Sequence, residues 1–266
     1  MKEELLTLLS GKEGYNLKVN TLREYLQAFM LRILFKNNFF QHTAFLGGTC
    51  LRFIHAIKRF SEDLDFSLLD ASGFDYHKIV QTLSKELADA GYQVLVKTKS
   101  NSIYSSLFKF SDLLNEAGIS NRRGENISIK IDLDTHPPAE AKTEKHIINR
   151  YFMVGVTSYD LSTLLAGKIN ALLTRNYAKG RDYYDLFWYL TTHKKLEPNF
   201  PFLKNALAQF NWQGNMRESR DWKIAVFETL QGVDWEKIQK EMELLIEDRE
   251  SLALFTRENI IMLLNL

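Results

Sequence analysis

The chain has 266 residues, with 34 lysines and arginines against 33 aspartates and glutamates, for a net charge of +1. Such a balance excludes a generally basic nucleic-acid binder, so any polyanion surface must be a local patch. A single cysteine excludes an internal disulfide, and 4 prolines and 13 glycines beside 12% aromatic residues point to a packed, helix-rich globule of one large or two modest domains.

The N-terminal apolar run is too short and too acidic for a signal peptide, and no stretch approaches the length of a membrane span. A cytoplasmic protein without membrane contact is expected. Residues 1–38 read as helix. Thr21 and Glu24 fit a capping box, and Leu22, Tyr25, Leu26, Phe29, Ile33 and Leu34 recur at helical spacing. Asn37-Asn38 ends the run.

Residues 43–46 form a short apolar strand that closes on Gly47-Gly48-Thr49, with a brief helix over 50–57. Two glycines before a helix let backbone N–H groups approach a ligand, as a phosphate cradle requires. Arg59, Phe60 and Ser61 then lead into Glu62-Asp63-Leu64-Asp65-Phe66-Ser67-Leu68. Strand alternation puts Leu64, Phe66 and Leu68 on one face and Asp63, Asp65 and Ser67 on the other. Two carboxylates so close repel each other, and a divalent cation removes that penalty. Their hard oxygens suit Mg²⁺ or Mn²⁺, ions commonly shared between carboxylates and substrate phosphates. A Gly-Gly turn or an Asp-x-Asp strand alone is commonplace. Cradle and acid pair in this order fit nucleotidyl transfer, in which one element holds the triphosphate and the other the metal.

Residues 75–90 read as an amphipathic helix with Ile79, Leu83 and Leu87 on one face and Gly91 beyond its end. Strands follow at 92–98 and 103–110. Lys97, Lys99 and Lys109 lie on or near them, ordinarily as a solvated face. In N-I-S-I-K-I-D-L-D, 126–134, the isoleucines and Leu133 face the core, and Ser128, Lys130, Asp132 and Asp134 face away. His136-Pro137-Pro138 ends that strand. A last strand is expected over 147–156. Thr157 and Asp160 fit a second capping box for a helix running to about Arg175. Lys168 lies in its otherwise apolar stretch, where snorkelling to solvent is the ordinary explanation. In Lys179-Gly180-Arg181-Asp182-Tyr183-Tyr184-Asp185-Leu186, Asp182 and Asp185 share a helix face. The plain structural alternative has Arg181 and Asp185 locking two helices together. Only helices are expected beyond 197, around 202–210, 222–230, 235–254 and 256–264. Trp212, Trp222 and Trp235 read as packing residues, and Lys204, Arg217, Arg220 and Lys223 as a basic rim.

GGTCLR followed by RFSEDLDFSL, and later the R-D-x-x-D-L run, resemble the AbiEii toxin branch of the nucleotidyltransferase superfamily, related to polymerase β-type enzymes and to MenT tRNA-modifying toxins. The likeness covers roughly 43–190. It implies an α+β fold: a nucleotidyltransferase-type mixed β-sheet flanked by helices, followed by a C-terminal helical bundle, with domains at 1–156 and 157–266 facing each other across a cleft. It further implies that Gly47, Gly48, Thr49, Ser61 and Lys168 bind the nucleotide and that Asp63, Asp65 and Asp132 hold the metal. Asp134 is the fallback for Asp132. Asp182 or Asp185 completes the catalytic set with Lys168, Asp182 being preferred. The implied reaction moves a nucleoside monophosphate from a nucleoside triphosphate to an acceptor hydroxyl and releases pyrophosphate. The implied acceptor is a tRNA 3′ end, and the setting a toxin–antitoxin or phage-defence system with an AbiEi-like antitoxin. The alternatives are a small-molecule or protein acceptor, and a non-catalytic nucleotide- or RNA-binding relic.

Overall fold

The computed structural model describes residues 7–101, 103–122, 124–218, 221–247 and 249–264. In chain order its sheet-bearing part carries α1 (Tyr15–Lys36), β1 (Thr43–Leu46), α2 (Gly47–Ile54), β2 (Leu64–Leu68), α3 (Tyr76–Asp89), β3 (Val94–Ser100), β4 (Ile103–Phe110), a four-residue α4 (Leu113–Glu116), β5 (Ile127–Asp134), β6 (Thr143–Asn149) and β7 (Met153–Tyr159). The helices that follow are α5 (Leu161–Thr174), α6 (Gly180–Thr192), α7 (Phe200–Gln209), α8 (Asp221–Gln231), α9 (Trp235–Glu243), α10 (Arg249–Ala253) and α11 (Arg257–Leu264). The chain divides into two units. One holds residues 1–56, 60–136 and 145–158; the other holds 57–59, 137–144 and 159–266.

In the first unit seven strands form one mixed sheet in the order β3-β4-β5-β2-β1-β7-β6. Strand β2 lies antiparallel to β1 and parallel to β5. The register sets Leu64 beside Ile131 and Phe66 beside Leu133, so the apolar faces of both strands coincide. Phe66 is buried among Phe39, Phe40 and Phe45, with ring centroids 4.9, 6.0 and 5.3 Å away. The expected stripe of α1 is buried, from Leu22 to Leu34. Tyr92 links its Phe29 to Phe110 of β4 through ring contacts. Helix α3 is tied to β4 by the Tyr76 hydroxyl, which donates to Ser106 at 2.9 Å. Both helices thus engage the face that carries Phe108, Phe110 and the buried isoleucines of β5.

Several expected boundaries move. Helix α1 begins at Tyr15, so Thr21 and Glu24 lie in its interior and form no capping box; residues 1–6 of the expected helix lie outside the described residues. Glu24 is instead buried, accepting from Arg52 Nε at 2.5 Å, Arg150 Nε at 2.7 Å and the Tyr151 hydroxyl at 2.8 Å. Helix α2 starts at Gly47 and ends at Ile54. The single strand expected over 147–156 is two, β6 and β7, because residues 150–152 turn the chain. Thr157 therefore sits on a strand, and Asp160 alone caps α5 by accepting from the Thr163 N–H. The stretch expected as one helix over 235–254 stops at Glu243 and resumes at Arg249.

The second unit is helical. Asn199 organises one end. Its carboxamide oxygen caps α7 at the Phe202 N–H, and its Nδ2 donates to the Glu140 carbonyl at 2.7 Å and to Thr163 Oγ1 at 3.0 Å. Trp235 and Tyr184 pack on buried Phe255, and Trp222 is buried as expected. Arg220 lies outside the described residues. Among the described residues no helix is long and apolar enough to cross a membrane.

Candidate active site

Parallel pairing of β2 with β5 sets Asp65 directly beside Asp132 and Ser67 beside Asp134. Residues side by side in a parallel pair share a face, so Asp65 and Asp132 project to the same side. Asp63 precedes β2 by one residue, two positions from Asp65. The Thr49 hydroxyl donates to the Asp63 carbonyl, fastening the first turn of α2 to the lead-in of β2. Thr49, expected to hold triphosphate, thus has its hydroxyl engaged by backbone. The backbone carbonyl of Ser61 accepts from Gln27 Nε2 at 3.1 Å.

Gly47 sits at φ 77°, where only glycine is free of strain, and a Cβ there would run into the Asp65 carboxylate. The glycine turn and the acid pair are therefore one construction. Gly47→Ala should lower stability by about 1–3 kcal/mol through its backbone alone, and the clash should displace Asp65 and cut activity by on the order of 10²-fold. Wild-type turnover in that variant would show that the turn tolerates a side chain.

Two cations missed by sequence reasoning flank the carboxylates. Lys130 Nζ lies 2.6 Å from Asp132 Oδ2, and the Ser105 hydroxyl donates to Asp132 Oδ1 at 2.7 Å. Burial pulls the Lys130 ammonium down, but the hydrogen bond and charge of Asp132, with Asp63 and Asp65 adding to it, hold it above the ordinary lysine range. Arg23 of α1 is the second. Burial pulls its guanidinium down against the opposing charges of Glu62 and Asp63. Lys130 was visible in the sequence as an outward position. Arg23 carried no local signal, because only the fold brings α1 to Asp63.

Among the described residues no three or more His, Cys, Asp or Glu side chains converge as an all-protein metal cage. Mg²⁺ does not require one, since it is commonly held by one or two carboxylates with substrate phosphates and water completing the shell. The Asp63/Asp65 pair, beside a glycine turn, fits that mode.

In the helical unit, Lys168 of α5 reaches both acids of α6. Its Nζ is 2.7 Å from Asp185 Oδ2 and 3.2 Å from Asp182 Oδ1. Arg175 Nη1 pairs with Asp182 Oδ2 at 2.5 Å. Lys168 therefore does not snorkel freely to solvent. Asp185 is fully buried and gripped in bidentate fashion by Arg59, whose Nε meets Oδ1 at 2.5 Å and Nη2 meets Oδ2 at 2.6 Å. The cation that locks Asp185 is thus Arg59 from segment 57–59, rather than the Arg181 considered from sequence. Burial alone would raise the Asp185 carboxyl, but Arg59 and Lys168 outweigh it and hold it below the ordinary carboxylate range. Asp182 and Asp185 share a face as expected, with different surroundings. Asp185 is enclosed, whereas Arg175 beside Asp182 is part-exposed. Gly180 opens α6 against α9, where a Cβ would meet the Ile238 carbonyl and its N–H donates to Glu241 Oε2 at 2.8 Å.

The match to a family model, and not these side chains alone, makes the chain a nucleotidyltransferase. Residues 28–257 match the model of the nucleotidyl transferase AbiEii toxins of type IV toxin–antitoxin systems, and the chain belongs to that family. The family's setting is that of a toxin enzyme with a nucleotide substrate and an antitoxin partner. Two solved structures share the fold. A Helicobacter pylori protein assigned as a nucleotidyltransferase superposes with a TM-score of 0.54 at 14% identity, covering 90% of this chain and 92% of that one. JHP933 of Helicobacter pylori superposes with a TM-score of 0.53 at 15% identity, covering 91% and 90%. Curated protein sequences returned no match.

Proposed function

We propose that this nucleotidyltransferase moves a nucleoside monophosphate from a nucleoside triphosphate to the 3′ hydroxyl of tRNA, as the toxin of an AbiE-like antitoxin and phage-defence pair. The observation that carries the chemistry is the pairing of Asp65 with Asp132 on adjacent parallel strands, with Gly47 packed on Asp65. The family model supports nucleotidyl transfer and the toxin setting.

Asp63 and Asp65 would hold Mg²⁺ or Mn²⁺, which when bound supplies Lewis-acid neutralisation of phosphate charge. Gly47 and Gly48 are assigned to the triphosphate through backbone N–H groups at the start of α2. Asp132, which meets Ser105 and Lys130, would accept the proton of the attacking hydroxyl. That oxygen forms its bond to the α-phosphorus as pyrophosphate leaves. Lys168 is assigned to the nucleotide's phosphates. Its ammonium has three donors, and Asp182 and Asp185 occupy two. Asp182 with Arg175 orients it.

The test is incubation with Mg²⁺, total tRNA and each labelled nucleoside triphosphate in turn, resolved on a denaturing gel. Label in tRNA from one nucleotide, absent without a divalent cation, is the expected result. Label entering a protein or small molecule and never tRNA would overturn the acceptor assignment and leave the transfer chemistry standing.

A further inference from the structure

The carboxylate face of the sheet does not stop at β5. Antiparallel register carries its rows across β4 to β3. Asp132 pairs with Ser105, and Ser105 with Lys99. Lys130 pairs with Leu107, and Leu107 with Lys97; Ser128 pairs with Lys109, and Lys109 with Leu95. Paired residues share a face, so Lys97, Lys99, Lys109 and Lys130 stand on the side that carries Asp65 and Asp132. From Asp65 to Lys99 the row crosses three strand spacings, about 14 Å.

This face is open. Leu95, Ile103 and Leu107 are 62%, 48% and 39% exposed, and Lys97, Lys99 and Lys109 are exposed. On β4 and β5 the opposite face, with Ser106, Phe108, Phe110 and the isoleucines, is buried, and Tyr76 of α3 is tied to it. Strands β3 and β4 contain no acidic residue. Among the described residues none of Lys97, Lys99 and Lys109 has an ion-pair partner, whereas Lys130 is paired to Asp132. Three unneutralised ammonium groups on neighbouring strands repel one another, and a repeating anion relieves the repulsion. The apolar side chains between them give bases and riboses a flat surface to cover.

We infer that the open face of β3, β4 and β5 is the docking track for the single-stranded end of a polynucleotide acceptor, with Lys97, Lys99 and Lys109 on its phosphates and its terminal hydroxyl directed along the row to Asp132. This rests on the reading above that the acceptor is a polynucleotide. A small acceptor would have no use for cations spread over two strands beyond the site. The chain's near-neutral total charge makes this lysine group a local feature rather than a sample of a basic surface.

The test compares the full-length wild type with a variant carrying Lys97→Ala, Lys99→Ala and Lys109→Ala, and with the corresponding Lys→Arg triple. Binding of fluorescent total tRNA is measured by anisotropy across a salt series, and steady-state transfer is measured alongside. Loss of three phosphate contacts to a single strand should flatten the slope of log K against log salt by about 2. Between 50 and 200 mM salt the Ala variant should then lose about 20-fold less affinity than wild type. Its KM for tRNA should rise at low salt while KM for the nucleotide stays put, and the Arg triple should behave as wild type. Thermal melting confirms that these exposed substitutions leave the fold intact. An unchanged salt slope in the Ala triple overturns the track, even where wild type labels tRNA. Unchanged tRNA binding with lost binding of a partner protein assigns the face to that protein and also overturns it. A salt slope lost in the Ala triple, with no label entering tRNA in wild type, sustains the track and defeats the transfer reading.

Discussion

Asp65→Ala should reduce nucleotidyl transfer by about 10³-fold or more, the scale of losing a preorganised charge-stabilising group, while the protein stays folded. The register leaves no substitute for this carboxylate. Asp63 lies outside the strand, and Asp132 already meets Ser105 and Lys130. The same change should leave thermal stability equal to or above that of wild type. Asp65 and Asp132 are like charges side by side, and their repulsion is a cost of folding that the variant lacks. Removing the carboxyl also empties the space against Gly47, where no side chain can enter. Activity and stability should therefore move in opposite directions, as happens where an active site stores strain. A melting series with MgCl₂ separates the causes. Wild type should gain stability with added Mg²⁺ through ion binding to the folded state, and Asp65→Ala should not. A variant that keeps both activity and the Mg²⁺-dependent gain would remove Asp65 from the site.

The parts of this arrangement that are legible in sequence are those that one strand or one turn states by itself. Alternation in 62–68 and 126–134 puts Asp63, Asp65 and Asp132 on polar faces, and a single apolar-to-polar period suffices for that. That Asp65 lies beside Asp132 is a fact of register between strands more than sixty residues apart, and the family likeness supplied it. Lys168 was conspicuous as a charge in an apolar helix, but its partners required the packing of α5 on α6. Arg59 was invisible as a site residue. It sits in a short lead-in, and its meaning comes from Asp185, 126 positions away. The failed capping boxes teach the same lesson. Thr21 and Glu24 have the right spacing, but nothing local reveals that Gly14 opens the helix or that Glu24 is needed by Arg52 and Arg150. Local chemistry names the elements, and tertiary partners decide what their charged residues are for.

Arg59→Ala should cost the helical unit about 3–5 kcal/mol, the range for leaving a buried charge without its partner, and lower the melting temperature of that unit by on the order of 10 °C. Arg59 and Asp185 are both fully buried, and the fork grips both carboxylate oxygens. Lys168 would remain as a single point charge on one of them. Arg59→Lys should recover part of the loss, because it restores charge without the bidentate geometry. The pH dependence has a definite sign. Asp185 is held below its unfolded value, so its contribution is present above the unfolded carboxylate range, near pH 4, and is lost as pH falls through the folded value. The gap in melting temperature between wild type and Arg59→Ala should therefore be widest near neutrality and should narrow below about pH 4. A gap that stays constant from pH 7 to pH 3 would mean that the variant loses packing and not charge pairing. The consequence for activity follows from covalent order. Arg59, clamped by Asp185, precedes Asp63 by four positions in the chain. Arg59→Lys, still folded, should accordingly lower kcat more than it raises KM for the nucleotide, the signature of a positioning residue. An equal rise in KM with unchanged kcat would make Arg59 a matter of stability alone.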